Sequence, residues 1–138
     1  MAVETRILST IGILAVIAWI SWGVHQCADY KGHDRLRSGE TRYRVQKVGN
    51  AIKAYYAEFS QFPSGDSAAI VRQILGENPR GIRMLYLSRH ESDAQGFPID
   101  AYGRPFRIKI SGNAIEVRSA GKDGEFETDD DVLDVSER

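Results

Sequence analysis

Residues 7–24, ILSTIGILAVIAWISWGV, run for 18 positions without a charged side chain. A helix needs about 20 apolar residues to span a bilayer core, with a working range of about 17–25. The hydroxyls of Ser9, Thr10 and Ser21 can bond back to helix carbonyls. Trp19 and Trp22 sit near the C-terminal end of the run, where indoles favour the membrane interface. A cleaved signal segment is the competing reading, but its apolar stretch is only about 7–15 residues and ends in a small-residue site. Here His25, Gln26 and Cys27 follow instead. The run therefore predicts a retained single-span membrane anchor at 7–24 behind an N-terminal flank at 1–6. With 138 residues in all, the remainder has room for one domain. The Lys and Arg after the anchor would favour the cytoplasm on a short loop, but long domains cross largely regardless of charge. From these residues alone the orientation stays open.

Charge is segregated along the chain. Lys31 to Lys53 holds seven Lys or Arg against Asp34 and Glu40, whereas Asp123 to Arg138 holds eight acids against one Arg. The formal net charge of -1 points away from nucleic acid as a partner. The lone Cys27 excludes an intramolecular disulfide. Val24-His25-Gln26 before it lacks the small residues of a lipoprotein site, so Cys27 is read as a passive juxtamembrane residue.

Residues 25–40 are polar with two glycines, a juxtamembrane linker or frayed helix. From Thr41 a domain spanning 41–138 begins. Val45, Val48, Ile52, Tyr55, Tyr56 and Phe59 recur at spacings of three and four, one face of an amphipathic helix. Arg42, Arg44, Lys47 and Lys53 fall on its other faces. Phe62-Pro63 closes it, because the residue before proline is pushed out of helical geometry. The stripe Tyr55, Tyr56, Phe59 and Phe62 reads as core rather than a ligand platform. A second helix is expected from Ser67 to about Leu75, capped by Ser64 or Asp66 and released at Gly76. Arg83 to Ser88 is apolar but of undecided type, and His90 has no second His or Cys at a metal-ligand spacing. Phe106, Ile108 and Ile110, then Ile115 and Val117, alternate with polar residues around Ser111-Gly112-Asn113, a β-hairpin. Its apolar face needs a cover, and the amphipathic helix is the large apolar surface available. The expected class is α+β, a helix packed on a small antiparallel sheet.

The stretch SAGKDGEFETDDDVL, Ser119 to Leu133, carries six acids and one lysine, Lys122. Adjacent Asp129, Asp130 and Asp131 repel one another if the segment folds tightly without a counterion. Two readings stand side by side: a frayed acidic tail, or a loop that folds around a hard cation. Calcium takes about 6–8 oxygen ligands in irregular geometry, which Gly121 and Gly124 would accommodate. Magnesium fits less well because it retains its waters, and zinc lacks nearby Cys or His. The spacing is not that of an EF-hand, since Gly121 stands two residues before Asp123.

YYAEFSQFPS (Tyr55–Ser64), DAYGRPFRI (Asp100–Ile108) and RSAGKDGEFETDDDV (Arg118–Val132) together, in this order, resemble the C-terminal domain of the type II secretion major pseudopilins. In that family a helix ends in an aromatic-Pro pair, an Asp-x-Trp-Gly-x-Pro-Tyr motif follows, and a Ser-x-Gly-x-Asp-Gly…Asp-Asp-Ile loop comes last. Here Tyr102 replaces Trp and Phe106 replaces Tyr. The resemblance implies a pilin-like fold with a C-terminal acidic metal-binding loop holding Ca2+. Asp123, Asp130 and Asp131 would be the side-chain ligands, and backbone carbonyls near Ser119 would complete the shell. Glu127 stands where the family usually has Gly, and Asp129 is an additional acid. The resemblance also implies other pseudopilin or secretion-machinery subunits as partners, a homo-oligomer among them. It implies an inner-membrane, single-pass location with the globular part in the periplasm.

Family members carry a Gly-Phe cleavage site and a Glu five residues into the mature helix. Neither pattern occurs in MAVETRILSTIGILAVIAWI, where Glu4 precedes the apolar run. The expectation is a pseudopilin domain on an uncleaved anchor, working as a structural subunit of a type II secretion or pilus-type envelope assembly. The alternative is a stand-alone, membrane-tethered, calcium-binding periplasmic domain that binds a partner without polymerising. Catalysis is not expected, because no nucleophile–base spacing or phosphate-binding glycine loop is present.

Overall fold

The computed structural model describes residues 32–137. The predicted anchor at 7–24 lies outside them. Among the described residues no helix is long and apolar enough to cross a membrane. The packing below is that of the compact unit Arg37–Arg138.

Helix α1 occupies 32–59 of the described residues, so helical structure is already present ahead of the apolar periodicity that starts near Thr41. Val45, Val48, Ile52 and Tyr55 are all buried on one face, as their spacing requires. Fully burying such a side chain contributes roughly 1.5–3 kcal/mol, so this face alone anchors the helix. Ser60 turns into the left-handed region at φ 56 and α1 ends there. Tyr56 and Phe62 then close against each other with ring centroids 4.6 Å apart, folding the aromatic-Pro exit back onto the helix end.

Helix α2 spans Ser67–Ile74, with Asp66 as its N-cap accepting from the Ala69 N–H at 2.8 Å. Ile70, Val71 and Ile74 face the core. The Ser67 hydroxyl accepts from the Ile108 N–H at 2.9 Å and donates to the Ile108 carbonyl at 3.3 Å. Helix α2 thus satisfies part of an otherwise open sheet edge. Arg83 to Ser88 is irregular, and its Leu85 is buried in the core.

The sheet is an antiparallel meander of three strands in the order β1-β2-β3, with β1 Arg107–Ser111, β2 Ala114–Ser119 and β3 Val132–Glu137. The hairpin β1–β2 closes with Ser111 opposite Ala114, leaving a two-residue turn in which Gly112 has φ 58, a geometry that suits glycine. Ile108, Ile115 and Val117 are buried against the helices. Gly49 lets α1 come close to β2 and β3: a Cβ there would lie 3.1 Å from Asp134 Oδ2.

Of the two readings of the acidic stretch, a loop and not a tail is found, because β3 follows it and pairs with the whole of β2. One sequence expectation needs correction. Arg44 is not on an outer face of α1, being only 6% exposed. Its Nη1 donates to the carbonyls of Ile99 and Asp100, both at 2.9 Å, and its Nη2 pairs with Glu40. These partners replace water at both terminal nitrogens, while Nε is buried without a hydrogen-bond partner.

Candidate functional site: a carboxylate hub and an arginine-held acidic loop

The sheet end opposite the hairpin turn carries both remaining sequence motifs. Asp100, 1% exposed, organises it. Its Oδ1 accepts from the N–H groups of Tyr102 and Arg104, both at 2.9 Å, which shapes the turn of the DAYGRPF segment. Its Oδ2 accepts from the Ser119 hydroxyl at 2.6 Å, and Ser119 Oγ in turn accepts from the Gly121 N–H at 3.1 Å. The neighbouring Ala101 N–H reaches Thr41 Oγ1 at 3.2 Å, while Arg44 holds the Asp100 carbonyl. Helix α1, the DAYGRPF turn and the start of the acidic loop therefore meet at one buried carboxylate.

The loop between β2 and β3 is built from a second carboxylate of the same kind. Asp130 Oδ2 accepts from the Lys122 N–H at 2.6 Å and the Asp123 N–H at 3.0 Å, and Oδ1 accepts from the Thr128 hydroxyl at 2.8 Å. The Asp123 N–H, with the Thr128 hydroxyl and the Lys122 N–H, holds the Asp130 carboxyl at about 2, well below the usual carboxylate range. Asp123 Oδ1 accepts from the Glu125 N–H at 2.8 Å. Gly121, at φ 57, is pressed against Asp130: a Cβ would lie 2.6 Å from its Oδ2.

Three arginines answer the loop's charge. In the hairpin register Arg107 stands directly opposite Arg118, a like-charged pair that is unfavourable by itself. Arg118 donates to Asp131 Oδ2 at 3.0 Å, and this bond to Asp131 raises the Arg118 pKa further. Arg107 donates to Glu127 Oε1 at 3.1 Å and carries the Phe126 ring 4.3 Å from its guanidinium. Arg104 donates from Nη1 to the carbonyls of Gly121 and Lys122, the latter at 3.0 Å. The repulsion that the sequence suggests among Asp129, Asp130 and Asp131 is thus relieved partly by cations already in the chain.

The four residues singled out as metal donors fall into two groups. Asp123 and Asp130 meet through the Asp123 N–H. Asp131 is drawn to Arg118, and the Ser119 hydroxyl to Asp100. Among the described residues no three His, Cys, Asp or Glu side chains form a metal-holding group. The donors available are nonetheless all oxygen, the chemistry of a hard cation. Asp131 Oδ1 is buried without a hydrogen-bond partner, while its Oδ2 accepts from Arg118 and from the Glu127 N–H. Asp123, Asp130 and Asp131 are the loop carboxylates such an ion would draw on, but among the described residues the structure does not gather the three around one point. Arg104, Arg107 and Arg118 hold the loop in ways that sequence reasoning missed. A signal was present: two arginines facing each other across a hairpin need acids nearby, and an acidic loop follows the second.

These observations define a class, an α+β domain whose long helix lies on a short antiparallel meander closed by a charged β2–β3 loop. The family model for the type II secretion system (T2SS), protein G, matches residues 30–138, and the chain belongs to this family, the major pseudopilins. Searches of curated proteins and of solved structures give no significant match. The family is structural rather than enzymatic and associates with other secretion-machinery subunits in the cell envelope.

Proposed function

We propose that this chain is a membrane-anchored, calcium-stabilised structural subunit of a type II secretion or pilus-type envelope assembly. It is held in the inner membrane by a single span at 7–24, with its globular domain in the periplasm, and carries no catalysis of its own. The observation that carries the assembly role is the family match over 30–138, which takes in the helix, the sheet and the acidic loop together. The anchor rests on the 18-residue uncharged run.

Calcium is supported by the all-oxygen donor set and by the unpartnered, buried Asp131 Oδ1 beside Asp130. Bound there by Asp123, Asp130 and Asp131, the ion would supply a central positive charge that links the start of the loop to its return into β3. The stiffened loop would then present one fixed surface to neighbouring subunits.

Two experiments test the proposal. Crosslinking in the native membrane should recover secretion-machinery subunits or further copies of this chain; recovery of neither removes the assembly role. Thermal melts of the full chain in mild detergent, in calcium, magnesium and chelator, address the ion. An ion at 100 times its Kd stabilises the fold by about 2.7 kcal/mol, which raises the Tm by several degrees. A calcium-specific rise that Asp130→Ala abolishes is expected, and equal melts in all three conditions remove the metal.

A further inference from the structure

The turn at 121–124 is held from two sides by opposite charges. On one side the Lys122 and Asp123 N–H groups point at the Asp130 carboxylate, at 2.6 and 3.0 Å. On the other side the Gly121 and Lys122 carbonyls point at the Arg104 guanidinium. Peptide dipoles aligned with anion at their N–H end and cation at their C=O end are stabilised at both ends, and bonds to ionised partners are the stronger kind. The guanidinium is also fitted sterically. A Cβ at Gly124, which has φ 81, would lie 2.8 Å from Arg104 Cζ and 2.9 Å from its Nε. The root of the Arg104 side chain is fixed, because its backbone N–H donates to Asp100 Oδ1 and its carbonyl accepts from the Asp100 N–H at 2.8 Å. The buried hub thus aims a cation at the carbonyl side of the exposed loop.

We propose that Arg104 is a positioning residue that serves as the loop's resident cation. It holds the Gly121 and Lys122 carbonyls without any metal, and so sets how far the loop depends on calcium. The second clause rests on the calcium proposal above; the first does not. A divalent ion that orders an acidic loop takes both carboxylates and carbonyls. Here the guanidinium already holds two carbonyls of the loop, so a divalent ion is left to act from the side of Asp123, Asp130 and Asp131. The chain is then ordered in chelator, and calcium adds a smaller increment than it would to a loop lacking Arg104.

The test is amide hydrogen exchange on the full chain in mild detergent, in chelator and in calcium, for the native sequence and for Arg104→Ala and Arg104→Gln. The Lys122 and Asp123 amides report the loop, and the Ile108 and Val117 amides report whether the sheet persists. In chelator, both variants are expected to exchange at Lys122 and Asp123 at least about tenfold faster than the native chain, with Ile108 and Val117 unchanged. Calcium should then slow those two amides more in the variants than in the native chain. Loop exchange that is the same in native and variant chains in chelator overturns the resident-cation role. So does faster exchange at all four amides alike in both variants, which would make Arg104 an ordinary fold contact. Faster loop exchange in the variants that calcium does not slow supports the resident cation and removes the calcium proposal instead.

Discussion

Asp100 and Asp130 do the same chemistry in opposite surroundings. Each uses one carboxylate oxygen to accept two backbone N–H groups and the other to accept a hydroxyl. Asp100 does so as a buried residue, its bond to Ser119 shielded from water and its two N–H bonds partly so. Asp130 does so in an exposed loop, where water competes for each bond. Between them stands Glu91, half-buried, accepting from the Ser88 N–H at 2.7 Å and from Lys47 at 2.8 Å. The comparison teaches that an identical bonding pattern is a fold determinant in one place and a local, ion-sensitive latch in the other. The difference is how readily water replaces the bonds when they break: less readily in the hub than in the loop.

Asp100→Ala is expected to have the largest effect. It strands the buried Ser119 hydroxyl and two partly buried N–H groups, at about 1–3 kcal/mol each if unreplaced, so a loss of about 3 kcal/mol is expected. Denaturant unfolding of the full chain in detergent measures it. A loss below about 1 kcal/mol would erase the distinction between hub and loop.

Gly121→Val comes next. A side chain at φ 57 is strained, and its Cβ would meet the Asp130 carboxylate. A cost of about 2 kcal/mol is expected, with amide exchange accelerated in the loop and β3 while α1 and α2 stay protected. Equal acceleration throughout would make the loop part of the hub's cooperative unit.

Glu91→Gln should cost about 1 kcal/mol near neutral pH. Burial raises the Glu91 carboxyl, but the Lys47 bond and the Ser88 N–H outweigh it and bring it to about 2. A carboxyl lowered on folding stabilises the fold above its unfolded value of about 4 and loses that contribution as pH falls toward 2. The acid limb of a stability–pH profile should therefore be shallower in Glu91→Gln than in the native chain.

Asp130→Asn should give the smallest global change, less than about 0.5 kcal/mol in chelator. Asp130 is lowered to about 2 by the same logic, so its contribution is present above about pH 4 and fades below it. In the native chain the Lys122 and Asp123 amides should begin to exchange faster as pH falls through that window, before the Ile108 and Val117 amides do. In Asp130→Asn that early step should be missing. An acid step in the sheet amides at the same pH would show that the exposed latch carries as much of the fold as the buried hub.

How much of this was legible depends on which way each strand's apolar residues face. The alternation of Ile108, Ile115 and Val117 points inward, so the hairpin was readable. In β3 the register sets Val132, Asp134 and Ser136 on the same side as Ser119, Val117 and Ile115. The apolar Leu133 and Val135 consequently face outward, 45% and 59% exposed. A strand whose alternation is inverted gives no core signal, and its acidic approach looks like a tail. Arg44 was hidden for a similar reason: a guanidinium at an amphipathic helix's edge reads as solvated unless the chain elsewhere supplies carbonyls to receive it.

The sequence by itself determined the local elements: the apolar face of α1, an α2 capped at Ser64 or Asp66, a hairpin turn around Ser111-Gly112-Asn113, and the family motifs in their order. Each depends on neighbours a few residues apart, through helical period, strand alternation or turn conformation. Only the tertiary structure decided that Asp100 joins Ser119 and lies beneath Arg44, that β3 completes the sheet, and that Arg104, Arg107 and Arg118 hold the acidic loop. Those pairings span from 13 to 56 residues, and charge has no periodicity that announces its partner. Which arginine meets which carboxylate is settled by where packing of the apolar face brings the strands, not by spacing along the chain.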